Sequence, residues 1–89
     1  MKIFIVSKLF ARKDSEGYWN LMNVEQIAAF QSREEAIAKV NRCLEGTREM
    51  FGGIITNLWD EKCEKITYSA NLISGDDRYQ MNVTWMELK

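Results

Sequence analysis

The stretch ITYSANLISGDDRYQMNVTW, residues 66–85, decides the fold. Apolar side chains alternate with polar ones on both sides of the turn at residues 74–77, and the apolar set is Ile66, Tyr68, Ala70, Leu72, Tyr79, Met81, Val83 and Trp85. Successive side chains of a strand point to opposite faces of a sheet. The pattern therefore predicts a β-hairpin with one face covered by other elements and one face in water.

The N-terminal third of the chain predicts a second hairpin. Residues 3–10 are rich in β-branched and aromatic side chains and begin apolar on both faces, which is typical of a central strand covered on both sides. A polar stretch, residues 11–17, separates them from another β-prone run, residues 18–30. Asn20 and Asn23 interrupt that run, so we expect a bulge or a bend near Asn23.

A helix is predicted between the two hairpins. Ser32 and Glu35 form a capping box, in which the Ser32 hydroxyl accepts from the Glu35 N–H and the Glu35 carboxylate accepts from the Ser32 N–H. The apolar stripe consists of Ala36, Ile37, Val40, Cys43 and Leu44, and it continues at the same spacing with Thr47, Met50, Phe51 and Ile54. We expect the helix to run through Gly46 to about Phe51 and to stop at Gly52-Gly53. A helix that ends at Gly46, followed by an irregular stretch to Gly53, is the alternative.

The element order defines the fold class. Residues 54–59 form a short β-prone run that turns at residues 60–62, which gives the order β-β-α-(β)-β-β. We expect an α+β fold in which one helix covers an antiparallel sheet of four or five strands. A chain of 89 residues has room for one core, so we expect a single domain over residues 1–89.

The composition disfavours catalysis. The chain has no His, the residue most often used for general acid–base chemistry, and its two Cys are too far apart in sequence for the local ligand clusters of a zinc site. Gly52-Gly53 does not match a phosphate-binding loop, and the carboxylate pairs Asp60-Glu61 and Asp76-Asp77 lie at predicted turns, where Asp is common. We therefore expect no enzyme activity, no catalytic residue, no cofactor and no metal ion.

The charge and the hydropathy of the sequence predict a soluble protein of the cytoplasm. Twelve Lys and Arg against thirteen Asp and Glu give a net charge of -1, which disfavours a binder of duplex DNA. The sequence shows neither a secretory signal nor the run of about 20 apolar residues that a membrane helix needs, so we expect a soluble cytoplasmic protein without a membrane partner. Disulfides are then not expected. Cys43 is predicted to pack in the core, and Cys63, in a charged turn, to be an exposed thiol.

The sequence offers three features for binding. The wet face of the last hairpin carries Lys65, Arg78, Gln80, Asn82 and Thr84. The aromatic side chains of this hairpin lie on the other face, which disfavours base stacking. Trp85 is predicted to be a core residue, whereas Trp19 and Trp59 lie near strand ends, where each is either packed at the edge of the core or an anchor for a partner. The strand from Tyr79 to Leu88 has no proline, so at a sheet edge it can pair with a second copy or with another protein.

The junction IAAFQSREEA, residues 27–36, preceded by the strand MKIFIV, residues 1–6, resembles small phage-encoded proteins in which a strand ending in Phe enters a Ser-capped helix. Some anti-CRISPR and other anti-defence inhibitors of phages are built in this way, as compact sheets with one helix. The resemblance is one of architecture over the first half of the chain, and it carries over no site residue. It implies a protein binder directed at the host and without catalysis.

We therefore expect a small non-enzymatic inhibitor that binds and blocks a bacterial defence complex of the CRISPR type. The residues expected to bind this partner are aromatic and charged residues at the sheet ends: Tyr18, Trp19, Trp59, Asp60, Glu61, Asp76, Asp77 and Arg78. One alternative is a binder of nucleotides or single-stranded nucleic acid, including a sponge for signalling nucleotides. The other is a homodimeric regulatory module joined through the strand from Tyr79 to Leu88.

Overall fold

Five strands and one helix make up the part of the chain that the structure, a computed structural model, describes, namely residues 1–57 and 66–88. The elements are β1 (Lys2–Lys13), β2 (Trp19–Phe30), α1 (Arg33–Phe51), β3 (Ile54–Asn57), β4 (Ile66–Ser74) and β5 (Asp77–Glu87). The strands form one antiparallel sheet in the order β2-β1-β5-β4-β3. The predicted α+β fold, with one helix on an antiparallel sheet, is confirmed.

The centre of the sheet is formed by β1 and β5, which come from opposite ends of the chain. They pair from Lys2 with Glu87 to Arg12 with Asp77, which confirms the central place predicted for β1. On its other side, β5 pairs with β4. The predicted pairing of two copies through the strand from Tyr79 to Leu88 required a place at the sheet edge. This condition is not met from Asp77 to Thr84, where β5 has a paired neighbour on each side.

The core lies between α1 and one face of the sheet. Ala36, Val40 and Leu44, spaced by four residues along one stripe of the helix, are fully buried. They pack with a buried set from the three central strands: Val6, Ala70, Leu72, Met81 and Val83. Cys43 is partly buried against this cluster, as predicted. The face opposite α1 is called the open face below.

Trp85 is a correction to the predicted core. Its side chain is on the α1 side of the sheet but is 36% exposed, and the Lys2 Nζ lies 4.6 Å from the centre of its ring. The reason is its position along β5, because the buried positions of this strand end with Val83.

The helix begins as predicted, with one difference in its cap. The Ser32 hydroxyl accepts a hydrogen bond from the Glu35 N–H at 3.4 Å, so Ser32 is the N-cap. The carboxylate that meets Ser32 belongs to Glu34 rather than to Glu35, since the hydroxyl donates to Glu34 Oε2 at 2.9 Å. The backbone N–H of Glu34 first, and then the Ser32 hydroxyl, hold the pKa of Glu34 below its ordinary value.

The helix ends at the predicted glycines. It continues through Gly46 to Phe51, so the shorter alternative is wrong. Gly52 follows with φ +74°, and its N–H donates to the Arg48 carbonyl at 2.7 Å. The predicted extension of the apolar stripe is also wrong, because Met50 and Ile54 are 75% and 73% exposed. The buried part of the stripe stops at Leu44, and of the last turn only Phe51 meets an aromatic ring of the sheet.

Two β-bulges in β2 shift its pairing register with β1. The register shifts between Val6 and Ser7 and again between Phe10 and Ala11. Each shift leaves one extra residue on β2, Ile27 in the first case and Met22 in the second. The second confirms the bulge predicted near Asn23.

Candidate partner-binding surface

Two hairpin turns meet at one end of the sheet, here called the hairpin end (residues 12–19 and 75–78). Arg12 and Asp77 are register partners, and Arg12 Nε lies 3.0 Å from Asp77 Oδ1. The Lys13 N–H donates to the Asp76 carbonyl at 2.7 Å. The two turns are therefore fixed to each other by a backbone hydrogen bond and an ion pair.

The hairpin end collects five of the residues predicted to bind a partner. These are Tyr18, Trp19, Asp76, Asp77 and Arg78. The other three, Trp59, Asp60 and Glu61, lie outside the described residues, as do Cys63, Lys65 and the turn predicted at residues 60–62.

The turn between β1 and β2 is organised by the Asp14 carboxylate. Asp14 Oδ1 accepts from the backbone N–H groups of Glu16 and Tyr18 at 2.9 and 3.0 Å, and Oδ2 accepts from the Asn20 side-chain amide at 3.0 Å. The Asn20 amide first, and then the Tyr18 backbone N–H, hold the pKa of Asp14 below its ordinary value. These hydrogen bonds therefore fix the backbone of the turn, including the position of Tyr18.

Four exposed apolar side chains lie just before β2 and along its start, one of them, Tyr18, in the turn and three in the strand. They are here called the edge patch (Tyr18, Leu21, Met22 and Val24). Their exposed fractions are 68%, 59%, 58% and 55%. Leu21 and Val24 both lie on the open face, opposite Ala11 and Leu9 of β1, because the bulge at Met22 re-phases the strand between them. Beside the patch, Trp19 is half-buried, with the Lys13 Nζ 5.0 Å from the centre of its ring.

Sequence reasoning found Tyr18 and Trp19 but missed Leu21, Met22 and Val24. In a regular strand, Leu21 and Val24 would lie on opposite faces of the sheet, so the sequence pattern does not predict that they share one surface. The bulge expected near Asn23 was the signal that could have placed Leu21 and Val24 on the same face, since one extra residue reverses the alternation of side chains along the strand.

The apolar character of the open face continues towards the other end of β1 and β2. A groove there has a volume of about 450 Å³, and its apolar lining includes Ile3, Ile5, Ala29, Met86 and Leu88. The open face is thus apolar along its β1–β2 side.

The β4–β5 side of the open face is polar, and several of its side chains hydrogen-bond to one another. Arg78 Nη2 donates to Gln80 Oε1 at 3.0 Å, and Gln80 Nε2 donates to Asn82 Oδ1 at 3.2 Å. Ser69 Oγ donates to the same Asn82 oxygen at 2.6 Å. The predicted polar character is confirmed, but the predicted exposure to water is wrong at Ser69 and Asn71, which are buried. The hydrogen bond to Gln80 ties the Arg78 guanidinium to its own strand, so Arg78 is a weaker candidate for a partner contact than Tyr18 or Leu21.

Within residues 1–57 and 66–88, His, Cys, Asp and Glu side chains form no cluster of three that could hold a metal ion. In the same ranges, the helix is not apolar enough to cross a membrane. No family model, curated protein or solved structure matches the chain.

Proposed function

We propose that the chain is a non-catalytic binding protein that inhibits its target by covering one of the target's surfaces, with a bacterial defence complex of the CRISPR type as the target. The observation that carries the binding role is the edge patch, whose four apolar side chains are each more than half exposed along one edge strand. The resemblance to phage anti-defence inhibitors supports the class of target.

The composition of the surface favours a protein partner. Tyr and Trp are enriched among residues that contribute most of the binding energy in protein interfaces. Tyr18 and Trp19 lie next to Leu21 and Met22, so an aromatic anchor and an apolar surround are present together. A contiguous exposed apolar patch is typical of an interaction site.

The backbone of β2 offers a second means of binding. Among the strands of residues 1–57 and 66–88 it pairs with β1 alone, so within this part of the chain its other edge can accept a strand from a partner. Natural sheets protect such edges with charges, and β2 has one charged residue in twelve, Glu25. A strand from the target that paired with β2 would contact the edge patch at the same time.

The same edge supports the homodimeric alternative by a different route from the one predicted. A second copy can pair along β2, whereas β5 has a paired strand on both sides from Asp77 to Thr84. Sedimentation velocity at micromolar and higher concentrations distinguishes the two: a monomer favours a foreign partner, and a dimer lost in Leu21→Asp assigns β2 to self-association.

The inhibitor proposal is tested in bacterial strains that each carry one active CRISPR system and are challenged with a targeted phage. Expression of the chain is expected to restore plaques in at least one strain. The double variant Tyr18→Ala with Leu21→Ala should lose this protection, because each anchor contributes more than about 1 kcal/mol and about 1.4 kcal/mol is ten-fold in affinity. Met50→Ala, equally exposed but on α1, is the matched control and should still protect.

Two results would count against the proposal in different ways. Absence of protection by the wild-type chain in every strain would reject the CRISPR target. Protection that survives in the double variant would reject the edge patch as the binding surface.

A further inference from the structure

A pocket lies on the α1 side of the sheet, at positions separate from the edge patch. It has a volume of about 270 Å³ and is lined by Lys8, Phe10, Asn23, Glu25 and Tyr79. These residues come from three neighbouring strands and form two adjacent rows, since Lys8 is the register partner of Glu25 and Phe10 is the register partner of both Asn23 and Tyr79. The pocket is called the base pocket below.

Aromatic rings form one wall of the base pocket. The ring centres of Phe10 and Tyr79 are 5.1 Å apart at an angle of 37°. Phe51, from the last turn of α1, lies nearly parallel to Tyr79 with the ring centres 6.3 Å apart. A group of rings of this kind is suited to a flat heterocycle.

Two cations lie beside these rings. The Lys8 Nζ is 5.6 Å from the centre of the Tyr79 ring, and the Arg12 Cζ is 5.5 Å from the centre of the Phe10 ring. The sequence disfavoured stacking because the charges of the last hairpin lie on the face without aromatics. The structure changes this conclusion, because β1 supplies cations on the aromatic face.

The opposite wall of the base pocket carries two side chains that can form hydrogen bonds with a ligand, Asn23 and Glu25. Glu25 is exposed and faces Lys8 in register, yet their charged atoms form no ion pair; the ion pairs in the described ranges join other residues. Its carboxylate can therefore accept hydrogen bonds from a ligand, and the Asn23 amide can both donate and accept.

We propose that the base pocket binds the base of a nucleotide that carries an exocyclic amino group. The ring lies against Phe10 and Tyr79, and the amino group donates to Glu25. Lys8 turns from the Tyr79 ring to the phosphate, while Arg12 stays paired with Asp77 and adds positive charge near the Phe10 ring. Carboxylates and amides are the side-chain groups that read amino groups of bases, and Lys and Arg are the usual partners of phosphate. The volume is near the lower end of small-molecule sites, about 300 Å³, so the pocket accommodates one base.

The experiment is calorimetric titration of the full chain with AMP, GMP, CMP and UMP at low salt. At least one of the three amino-bearing nucleotides should bind about ten-fold or more tightly than UMP, which has no exocyclic amino group. Glu25→Met, which removes the acceptor oxygens, should remove most of this discrimination, and Lys8→Met should weaken all four nucleotides and flatten the salt dependence of binding. Glu35→Met and Lys39→Met, on the surface of α1, are matched controls that should bind like the wild type.

The outcomes separate the possible sources of the base. If hexadeoxyadenylate binds no more tightly than AMP, the ligand is a free nucleotide; if it binds much more tightly, the base belongs to a single strand, and both results support the pocket. Absence of binding by all four nucleotides at millimolar concentration would overturn the proposal. Equal affinity for UMP and the other three would overturn the role of Glu25. Neither result bears on the inhibitor proposal, which rests on the edge patch.

Discussion

Gly53, between the helix and β3, is held against the backbone of β4. Its φ of +113° lies in the region that disfavours side chains, and a Cβ at this position would be 2.5 Å from the Ile73 carbonyl oxygen. A carbonyl within a paired strand cannot move away cheaply. We expect Gly53→Ala to lower the free energy of unfolding by more than about 2 kcal/mol, measured by urea denaturation. An unchanged denaturation midpoint would contradict this close approach.

Asp14 makes stability depend on pH at the hairpin end. Its pKa is lowered in the folded chain, chiefly by the Asn20 amide, so the carboxylate stabilises the fold above its ordinary pKa of 3.8. This contribution is lost as the pH falls through the lower, folded-state pKa. Asp14→Asn keeps an acceptor oxygen but has no charge to titrate, so the variant should be less stable than the wild type at pH 7.

The comparison is made by urea denaturation at pH 7, 4 and 3. The difference in unfolding free energy between Asp14→Asn and the wild type should shrink towards the lowest pH. Glu34 also has a lowered pKa, but it is present in both proteins and cancels in the difference. A difference that stays constant with pH would show that the charge of Asp14 does not stabilise the turn.

At the scale of elements, Gly46 is the residue that least favours a continuous α1. This residue is inside the helix, and a Cβ there would meet no atom within 4 Å. Gly46→Ala should therefore raise the free energy of unfolding by about 0.5–1 kcal/mol, since Ala loses less conformational freedom in a helix. Thermal unfolding should show an increase of several degrees, at roughly 4–8 °C per kcal/mol for a domain of this size. A lower melting temperature would instead favour the helix end at Gly46.

The elements that the sequence predicts well are those with a short-range signal. The alternation of residues 66–85 predicted both C-terminal strands, and Ser32 and Gly52 marked the ends of α1. The neighbours of β5 were not predictable in this way, because alternation shows which face a side chain occupies but not which strand lies beside it. For this reason the sequence left open whether β5 lies at an edge of the sheet.

The candidate surfaces were predicted only where they depend on turns. Tyr18 and Trp19 follow a recognisable turn, and the structure places them at the hairpin end. Leu21 and Val24 share a face only through a bulge, and the base pocket joins residues of β2, β1 and β5 that no sequence spacing relates. Surfaces assembled across strands require the strand order first.

At the scale of the whole molecule, stability depends on a small core. Leu44 is among the largest fully buried side chains and packs from α1 onto the sheet. Leu44→Ala should lower the free energy of unfolding by about 3 kcal/mol, a large part of the roughly 5–15 kcal/mol typical of a folded domain. Met50→Ala, six positions along the same helix but exposed, should change it by less than about 0.5 kcal/mol. Equal effects of the two substitutions in urea denaturation would show that α1 does not cover the core as described.

The central position of β5 has a consequence for how the chain is made. β1 leaves the ribosome well before its partner β5, because the helix and three other strands lie between them in the chain. At about 5–20 residues per second, roughly 4–15 seconds of translation separate the two strands. During that time β1 has β2 on one side and an unpaired edge on the other. Neighbouring nascent chains on the same messenger expose the same edge, so the period before β5 emerges is when this protein is most exposed to aggregation and most dependent on chaperones.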